Sequence, residues 1–353
     1  ANDPSQGWAM SRVSDQMAAA QKRHSDPSDT ANYVEHYNVV LGVNGDFYNM
    51  TSGAPNSALV MEGVEYHGVG SENFFAILKD GTAIIGGPSD YAAYKDQIQE
   101  AVGGNVYLVK DGVSVARTST DYYNSRHSRT CVGITADGKV VMMVLDGRQQ
   151  PFSAGGSMEE LAQIMLDAGC VTAINLDGGG STTFVAKQEG SDTPVVVNRP
   201  SDGYERSVSS SLMVVSTAPA STEFDHALIT SAYDYLTKDA TVRLVASGVS
   251  ATGNPAELPA DLSWKSLNET VGTVSSEGVF TAVAEGAAEI QLLSGDKVIG
   301  SKTLTVVVPT GLKFSKNTIN AIYGDPVRLP LVATYNENPV AVCAGDITFE
   351  LSN

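Results

Sequence analysis

The chain has 353 residues, enough for two or three domains, and 42% of them are apolar, an ordinary share for a folded protein. Its formal charge of −18 argues against nucleic acid or an anionic membrane surface as the main partner, because both require basic patches. No run approaches the roughly 18 apolar residues of a membrane span. The chain opens at Ala1 without the charged and apolar regions of a signal peptide; any such peptide is expected to have been removed or to lie outside this sequence. The three cysteines, Cys131, Cys170 and Cys343, make no disulfide framework and no zinc-type cluster. Cys131 and Cys170 can pair in an oxidising compartment or sit as two buried thiols.

In chain order, Trp8, Val13, Met17 and Ala20 share one face and predict a helix over 8–23, followed by a loop to Ala31. Residues 39–43 read as a short strand running into the polar turn Asn44-Gly45-Asp46-Phe47-Tyr48-Asn49. Asp80-Gly81, Asp111-Gly112 and Asp137-Gly138 each divide apolar runs and predict hairpins over 74–86, 105–116 and 129–145. Residues 91–102 carry a helical pattern that stops at Gly103-Gly104. Residues 157–168 predict a helix: Ser157 and Glu160 form a capping box, Leu161, Ile164, Met165 and Ala168 an apolar stripe, and Gly169 suits the C-terminal cap. Strands are expected at 195–198 and 209–215. The fold class implied is an α+β domain over residues 1–217, with a largely antiparallel or mixed sheet and flanking helices.

The most informative stretch is Cys170-Val171-Thr172-Ala173-Ile174-Asn175-Leu176-Asp177-Gly178-Gly179-Gly180-Ser181-Thr182-Thr183-Phe184-Val185. A buried strand over 171–176 ends in an acid, three glycines and three hydroxyl residues. Consecutive glycines are poor strand formers and suit a tight turn or a close ligand. Asp177 would then stand at a strand rim beside free amides and hydroxyls, as anion and sugar sites do. Asp-Gly-Gly-Gly alone suits a hairpin turn equally well.

Beyond the linker Thr217-Ala218-Pro219-Ala220-Ser221-Thr222 the texture becomes all-β. Val242-Arg243-Leu244 recurs as Val327-Arg328-Leu329. Residues 261–268 recur loosely as 346–353, with Trp264 matched by Phe349, at the same offset of about 85, which marks tandem modules. The second copy stops half-way, so the native chain is expected to continue past Asn353. Residues 262–290 resemble bacterial immunoglobulin-like group 2 modules, implying an immunoglobulin-like sandwich over 218–309 and the start of a second over 310–353.

The string Asn175-Leu176-Asp177-Gly178-Gly179-Gly180-Ser181-Thr182-Thr183 resembles the signature of the phosphodiester glycosidase family. Arg129-Thr130-Cys131-Val132-Gly133, Asp146-Gly147-Arg148, the helix bearing Glu159 and Glu160, and the segment from Asn198 to Arg206 follow in the family's order. Asn44-Gly45-Asp46-Phe47-Tyr48 resembles a further family element, whose third position is often Gly; Asp46 is a departure. The resemblance implies a hydrolase that cleaves a sugar-1-phosphodiester, with an N-acetylglucosamine-like sugar. Asp177 and Asp146 are the expected acids or bases. Asn44, Arg129, Arg148, Asn175, Gly178, Gly179, Gly180, Ser181, Thr182, Asn198 and Arg206 are the expected substrate-binding residues. Arginine suits bidentate phosphate binding, and paired carboxylates suit glycosidic cleavage.

No cofactor is required by this reading, although Asp177 and Asp146 can also hold a divalent cation such as calcium; no metal ligand is assigned. Of the histidines, His127 alone lies close to a motif. The expected partner is a phosphorylated glycan, from a cell wall or exopolysaccharide, met by a secreted or cell-surface protein. The rival reading is a non-catalytic glycan-binding or adhesion protein of the cell surface.

Overall fold

The structure is a computed structural model that describes residues 7–314, 331–343 and 345–347. The chain forms two compact units, Ala1–Gln188 with Thr193–Pro219, and Glu189–Asp192 with Ala220–Asn353. No helix among the described residues is long and apolar enough to cross a membrane.

The first unit holds three sheets, and every strand pair within them is antiparallel. One orders Pro194–Val196, Phe184–Lys187, Asn38–Asn44 and Ser211–Ser216. A second orders Val140–Leu145, Arg129–Thr135, Cys170–Asn175, Tyr107–Lys110 and Val113–Ser114. The third orders Val64–His67, Leu59–Met61, Ile98–Gly104, Asn73–Leu78 and Ala83–Gly86.

Cys170–Asn175 is apolar on both faces because both faces are covered. Cys131 and Ala173 pack against Met158, Leu161 and Met165 of the helix Met158–Asp167. Val132, Ile174 and Leu176 pack against Phe75 and Val102 of the third sheet. Each such fully buried Leu or Ile contributes about 1.5–3 kcal/mol. Leu176, fully buried, thus anchors the residue that precedes Asp177.

The Ser157 capping box forms as expected: Ser157 Oγ accepts from the Glu160 amide at 3.3 Å, and Glu160 accepts from the Ser157 amide at 2.9 Å. Gly169 follows with φ 83°. Ile164, expected in the apolar stripe, is 39% exposed, and Ala162 is buried in its stead. The first helix runs Val13–Ser25, later than expected, because Ser11 pairs as a bridge with Val208. The helical pattern over 91–102 is corrected. The helix covers only Pro88–Tyr94, a 3-10 turn covers Lys95–Gln97, and Ile98–Gly104 is a strand between Leu59–Met61 and Asn73–Leu78. Ile98, Ala101 and Val102 are all buried in that sheet, where pairing with both neighbouring strands overrides the helical spacing.

Cys131 and Cys170 are free. Cys131 stands opposite Asn175, whereas Cys170 stands opposite Thr135. Four ladder positions put their Cα atoms roughly 13 Å apart, well beyond the limit of about 7 Å for a disulfide.

The second unit is built almost wholly of strands. Phe224–Ser231, Thr241–Ser250, Val279–Ala282 and Gly272–Val274 form one sheet, with Pro255–Ala256 paired to Thr241–Ser250. The other sheet runs through Leu262–Ser266, Gly286–Ser294, Lys297–Val306, Tyr235–Leu236, Asn338–Ala341, Leu331–Tyr335 and Gly311–Phe314. Leu244, Phe280, Ile290, Leu292 and Leu304 form its core, with Trp264 partly buried against it. The tip of the Phe280 ring abuts Gly272, where a Cβ would stand 2.0 Å from Cζ. The repeat segments 327–329 and 348–353, with Phe349, lie outside the described residues.

Candidate active site

Several strand ends of the first unit converge. Asn44 pairs with Ser211 at one ladder's end, and Asn175 with Cys131 at another's. The Leu176 amide donates to the Thr130 carbonyl at 2.9 Å, and the Asp177 amide to the Gly45 carbonyl at 3.0 Å. The polar turns at residues 44–46, 128–130 and 175–183 therefore meet at one place.

Asn44 locks them together. Its Nδ2 donates to the Asp177 carbonyl at 2.8 Å, while its Oδ1 accepts from Thr130 Oγ1 at 2.6 Å and the Thr183 amide at 3.1 Å. Asn175 Nδ2 donates to Asn105 Oδ1 and the Leu176 carbonyl, at 3.0 and 2.6 Å. Asn198 Nδ2 donates to Asp146 Oδ1 and the Thr182 carbonyl, and its Oδ1 accepts from the Phe184 amide. Asn44 and Asn175 are fully buried and Asn198 is half-buried. Asn44 and Asn198, expected to bind substrate, spend both ends of their carboxamides on the scaffold beneath the loop, whereas Asn175 spends only its Nδ2 there and its Oδ1 has no protein partner.

The three glycines answer to close contacts. A Cβ on Gly178 would lie 2.8 Å from the Ser128 carbonyl, and one on Gly179 3.1 Å from Arg148 Nη1. On Gly180 it would lie 2.0 Å from Arg206 Nη2 and 2.3 Å from Asp202 Oδ1. Gly179 also adopts φ 62°. Two guanidinium groups thus lie directly on bare backbone.

The arginines differ in kind. Arg129 is 1% exposed; its Nε donates to the Gly156 carbonyl, and its Nη2 donates to the carbonyls of Tyr122 and Ser125, all at 3.0–3.1 Å. Its guanidinium also sits 5.1 Å from the Tyr122 ring centroid. Expected to bind substrate, it braces residues 122–125 and 156 instead. Arg206 pairs with Asp202 at 2.7 Å and reaches Ser181 Oγ at 3.4 Å. Arg148 is exposed, its backbone sits at φ 59°, and among the described residues no carboxylate pairs with it. A left-handed non-glycine residue costs of order 1–3 kcal/mol, and Arg148 is one of seven such residues among those described. Arg148 Nε donates to His127 Nδ1 at 3.1 Å. His127 Nδ1 accepts that bond and so carries no proton in this arrangement, and burial, then the charges of Arg148 and Arg129, lower the His127 pKa.

Asp177 accepts from the Gly178 amide at 2.7 Å. Burial raises its pKa to about 6, against the opposing pull of Ser181, the Gly178 amide and the Arg206 charge. Asp146 is placed differently. Its Oδ1 accepts from Asn198 at 2.9 Å and its Oδ2 from the Arg199 amide at 2.9 Å, so it tethers that segment to the strand end. Ser181 and Thr182 are buried, and Thr182 Oγ1, Thr183 Oγ1 and Asn175 Oδ1 have no protein partner. Among the described residues no group of three or more His, Cys, Asp or Glu assembles for a metal ion.

Three residues of the site were not among those expected to act. Asp202 holds Arg206 from one helical turn's spacing away, an i, i+4 pattern visible in sequence. Tyr48 donates to the Ser207 carbonyl, and its pKa is raised by burial and by Asp177. Asp46 is 2% exposed. Asp46 and Tyr48 belong to the polar turn at 44–49, whose pattern gives no clue to which side chains turn inward.

Comparison with known proteins gives two family matches, phosphodiester glycosidase over residues 37–215 and bacterial Ig-like domain (group 2) over 225–325. The mouse N-acetylglucosamine-1-phosphodiester alpha-N-acetylglucosaminidase is 27% identical over 201 residues, 52% of this chain and 38% of that protein. The human enzyme of the same name is 29% identical over 160 residues, 40% of this chain and 31% of that protein. The chain thus spans well under half the length of these relatives. The zebrafish catalytic domain of that name, auto-inhibited by its pro-peptide, shares 21% identity at a TM-score of 0.44, over 60% of this chain and 74% of that one.

Proposed function

Because the chain belongs to the phosphodiester glycosidase family, with a bacterial group 2 immunoglobulin-like domain following, we propose that its first unit hydrolyses a sugar-1-phosphodiester outside the cytoplasm. The sugar is N-acetylglucosamine-like, and the acceptor is a phosphorylated cell-wall or exopolysaccharide glycan. The observation that carries this reading is Arg148. A left-handed backbone holds its guanidinium, which no carboxylate pairs, against Gly179, two residues along the loop from Asp177. Such a cation suits the charge of a bound phosphodiester.

In the reaction water adds across the bond between the anomeric carbon and the phosphate oxygen. That C–O bond breaks, the phosphomonoester leaves with the electron pair, and the sugar gains the hydroxyl. A phosphomonoester leaves readily, so the leaving oxygen needs little protonation. Arg148 and Arg206 hold the phosphate, and the neutral His127 orients Arg148. Asp177, with a pKa of about 6, is mostly ionised at neutral pH. It takes the proton from water or attacks the anomeric carbon, two routes that differ in the configuration of the released sugar. Asp146 and the three asparagines hold the loop in register.

The test is release of N-acetylglucosamine from a synthetic N-acetylglucosamine-1-phosphodiester by the full chain, with Asp177→Asn as control. Turnover lost in the variant supports the reading; equal turnover in both proteins, or none across a panel of sugars, refutes it.

A further inference from the structure

The first unit also holds a polar cavity of about 590 Å3, within the range of roughly 300–1,000 Å3 for small-molecule sites. Asn73 opens the strand Asn73–Leu78, Asn105 follows Ile98–Gly104, and Tyr107 and Lys110 stand at the two ends of Tyr107–Lys110. Arg117 comes from the segment after Val113–Ser114, and Tyr123 from the short helix Asp121–Asn124. The Asp111-Gly112 turn lays that segment back along its neighbour, for Val109 pairs with Ser114 and Lys110 with Val113. None of the acids, arginines or glycines around Asp177 lines this cavity. One hydrogen bond joins the two places, from Asn175 Nδ2 to Asn105 Oδ1 at 3.0 Å.

The lining is rich in donors that the protein leaves unused. Among the described residues no carboxylate pairs with Lys110 or Arg117. The Lys110 ammonium lies 5.1 Å from the Tyr107 ring centroid. Asn105 Oδ1 is spent on Asn175 and on the Val106 amide, at 3.0 and 2.6 Å, whereas its Nδ2 has no protein partner among the described residues. The same holds for the Tyr107 and Tyr123 hydroxyls, unlike those of Tyr48 and Tyr91. Glu72 is the one acid of the lining, and no cation pairs with it either. A chain with 40 Asp and Glu against 22 Lys and Arg repels anions over most of its surface. Two cations without carboxylates, set on one cavity, reverse that field locally. Their charge calls for an anion, and the aromatic rings and amide beside them suit a sugar ring with its hydroxyls.

We propose that this cavity is a second saccharide site, separate from the Asp177 loop, which takes an anionic sugar: Lys110 and Arg117 hold its phosphate ester or carboxylate, and Asn105 Nδ2 and the two tyrosines hold its ring. The site stands whether or not the first unit performs the hydrolysis proposed above.

The test is calorimetric titration of the full chain with glucose 6-phosphate, glucuronate, glucose and inorganic phosphate. Three proteins are compared: the wild type, the double variant Lys110→Ala with Arg117→Ala, and Arg148→Ala. Lys110 and Arg117 are exposed, so the double variant is expected to keep its fold and its Tm. The wild type is expected to bind an anionic sugar about tenfold or more tightly than glucose or inorganic phosphate. The double variant is expected to bind it roughly 10–100-fold more weakly, through loss of charge-assisted bonds, and Arg148→Ala as tightly as the wild type. Binding of glucose 6-phosphate alone assigns a phosphate ester, and binding of glucuronate alone a carboxylate; both support the site. The proposal is overturned if neither sugar binds, if the double variant binds like the wild type, or if inorganic phosphate binds as tightly as the sugars. It is overturned as well if Arg148→Ala, and not the double variant, abolishes binding, for the ligand then sits at the Asp177 loop. Should the double variant fail to fold, Lys110→Gln and Arg117→Gln, taken singly, decide in its place.

Discussion

Asp177→Asn is expected to abolish turnover and, less obviously, to stabilise the first unit at alkaline pH. Burial raises the Asp177 pKa from 3.8 to about 6. The folded state therefore binds this proton more tightly than the unfolded chain does. Its stabilising contribution is complete below pH 3.8 and is lost as pH rises through 6. At pH 8 the ionised carboxylate costs the folded state about 3 kcal/mol, at about 1.4 kcal/mol per unit. Asparagine keeps the acceptor for the Gly178 amide, bonded here at 2.7 Å, and carries no charge to desolvate. For a unit of some 200 residues a gain of 3 kcal/mol raises Tm by about 6–12 °C. Scanning calorimetry of the full chain at pH 8 and pH 4 reads this directly, and the transition that moves belongs to the first unit. The gain must appear at pH 8 and vanish at pH 4. Equal shifts at both pH values, or a loss at pH 8, would refute the argument from desolvation.

Gly180→Ala would set a Cβ within 2.0 Å of Arg206 Nη2 and break its pairing with Asp202; kcat/KM for a sugar-1-phosphodiester is expected to fall by about 100-fold, as a misplacement of roughly 1 Å does. Arg148→Ala removes the guanidinium that no carboxylate pairs and with it about 1.5–3 kcal/mol of charge-assisted bonding, so substrate KM rises by ~10–100-fold and inhibition by inorganic phosphate weakens in parallel. Arg129→Met leaves the carbonyls of Tyr122, Ser125 and Gly156 without their donor. It is expected to lower the stability of the first unit by about 2–4 kcal/mol in urea unfolding.

Much of this architecture is legible in sequence where the signal is local. Asp111 and Gly112, at φ 51° and 73°, make the kind of turn that their dipeptide announces. Ser157 and Glu160 announce a helix start in the same way. The strand Ile98–Gly104 escapes because its apolar residues, Ile98, Ala101 and Val102, keep a helical spacing and take up strand form only against Asn73–Leu78 and Leu59–Met61. Within the site, sequence reveals which turns are polar but not which way their side chains face. Asn44, Asn198 and Asp146 turn into the scaffold because carbonyls and amides of segments distant in sequence demand partners there, while Asn175 bonds the carbonyl of its neighbour Leu176. Arg129 turns the same way, whereas Arg148 does not, and no periodicity separates the two.

The reach of Asn44 along the chain has a kinetic consequence. Its three hydrogen bonds join residues 86, 133 and 139 positions apart. Closing loops of that length is slow, because their entropy is lost before any contact rewards it. The Asp177 loop is therefore among the last features of the first unit to take shape. A nascent or partly refolded chain holds its local hairpins and helices before it holds this constellation, whose own sheet pairs Leu41 with Ala186 and Asn38 with Ser216. Activity regained during refolding should lag behind far-UV circular dichroism, and a fragment ending before residue 183 should have none.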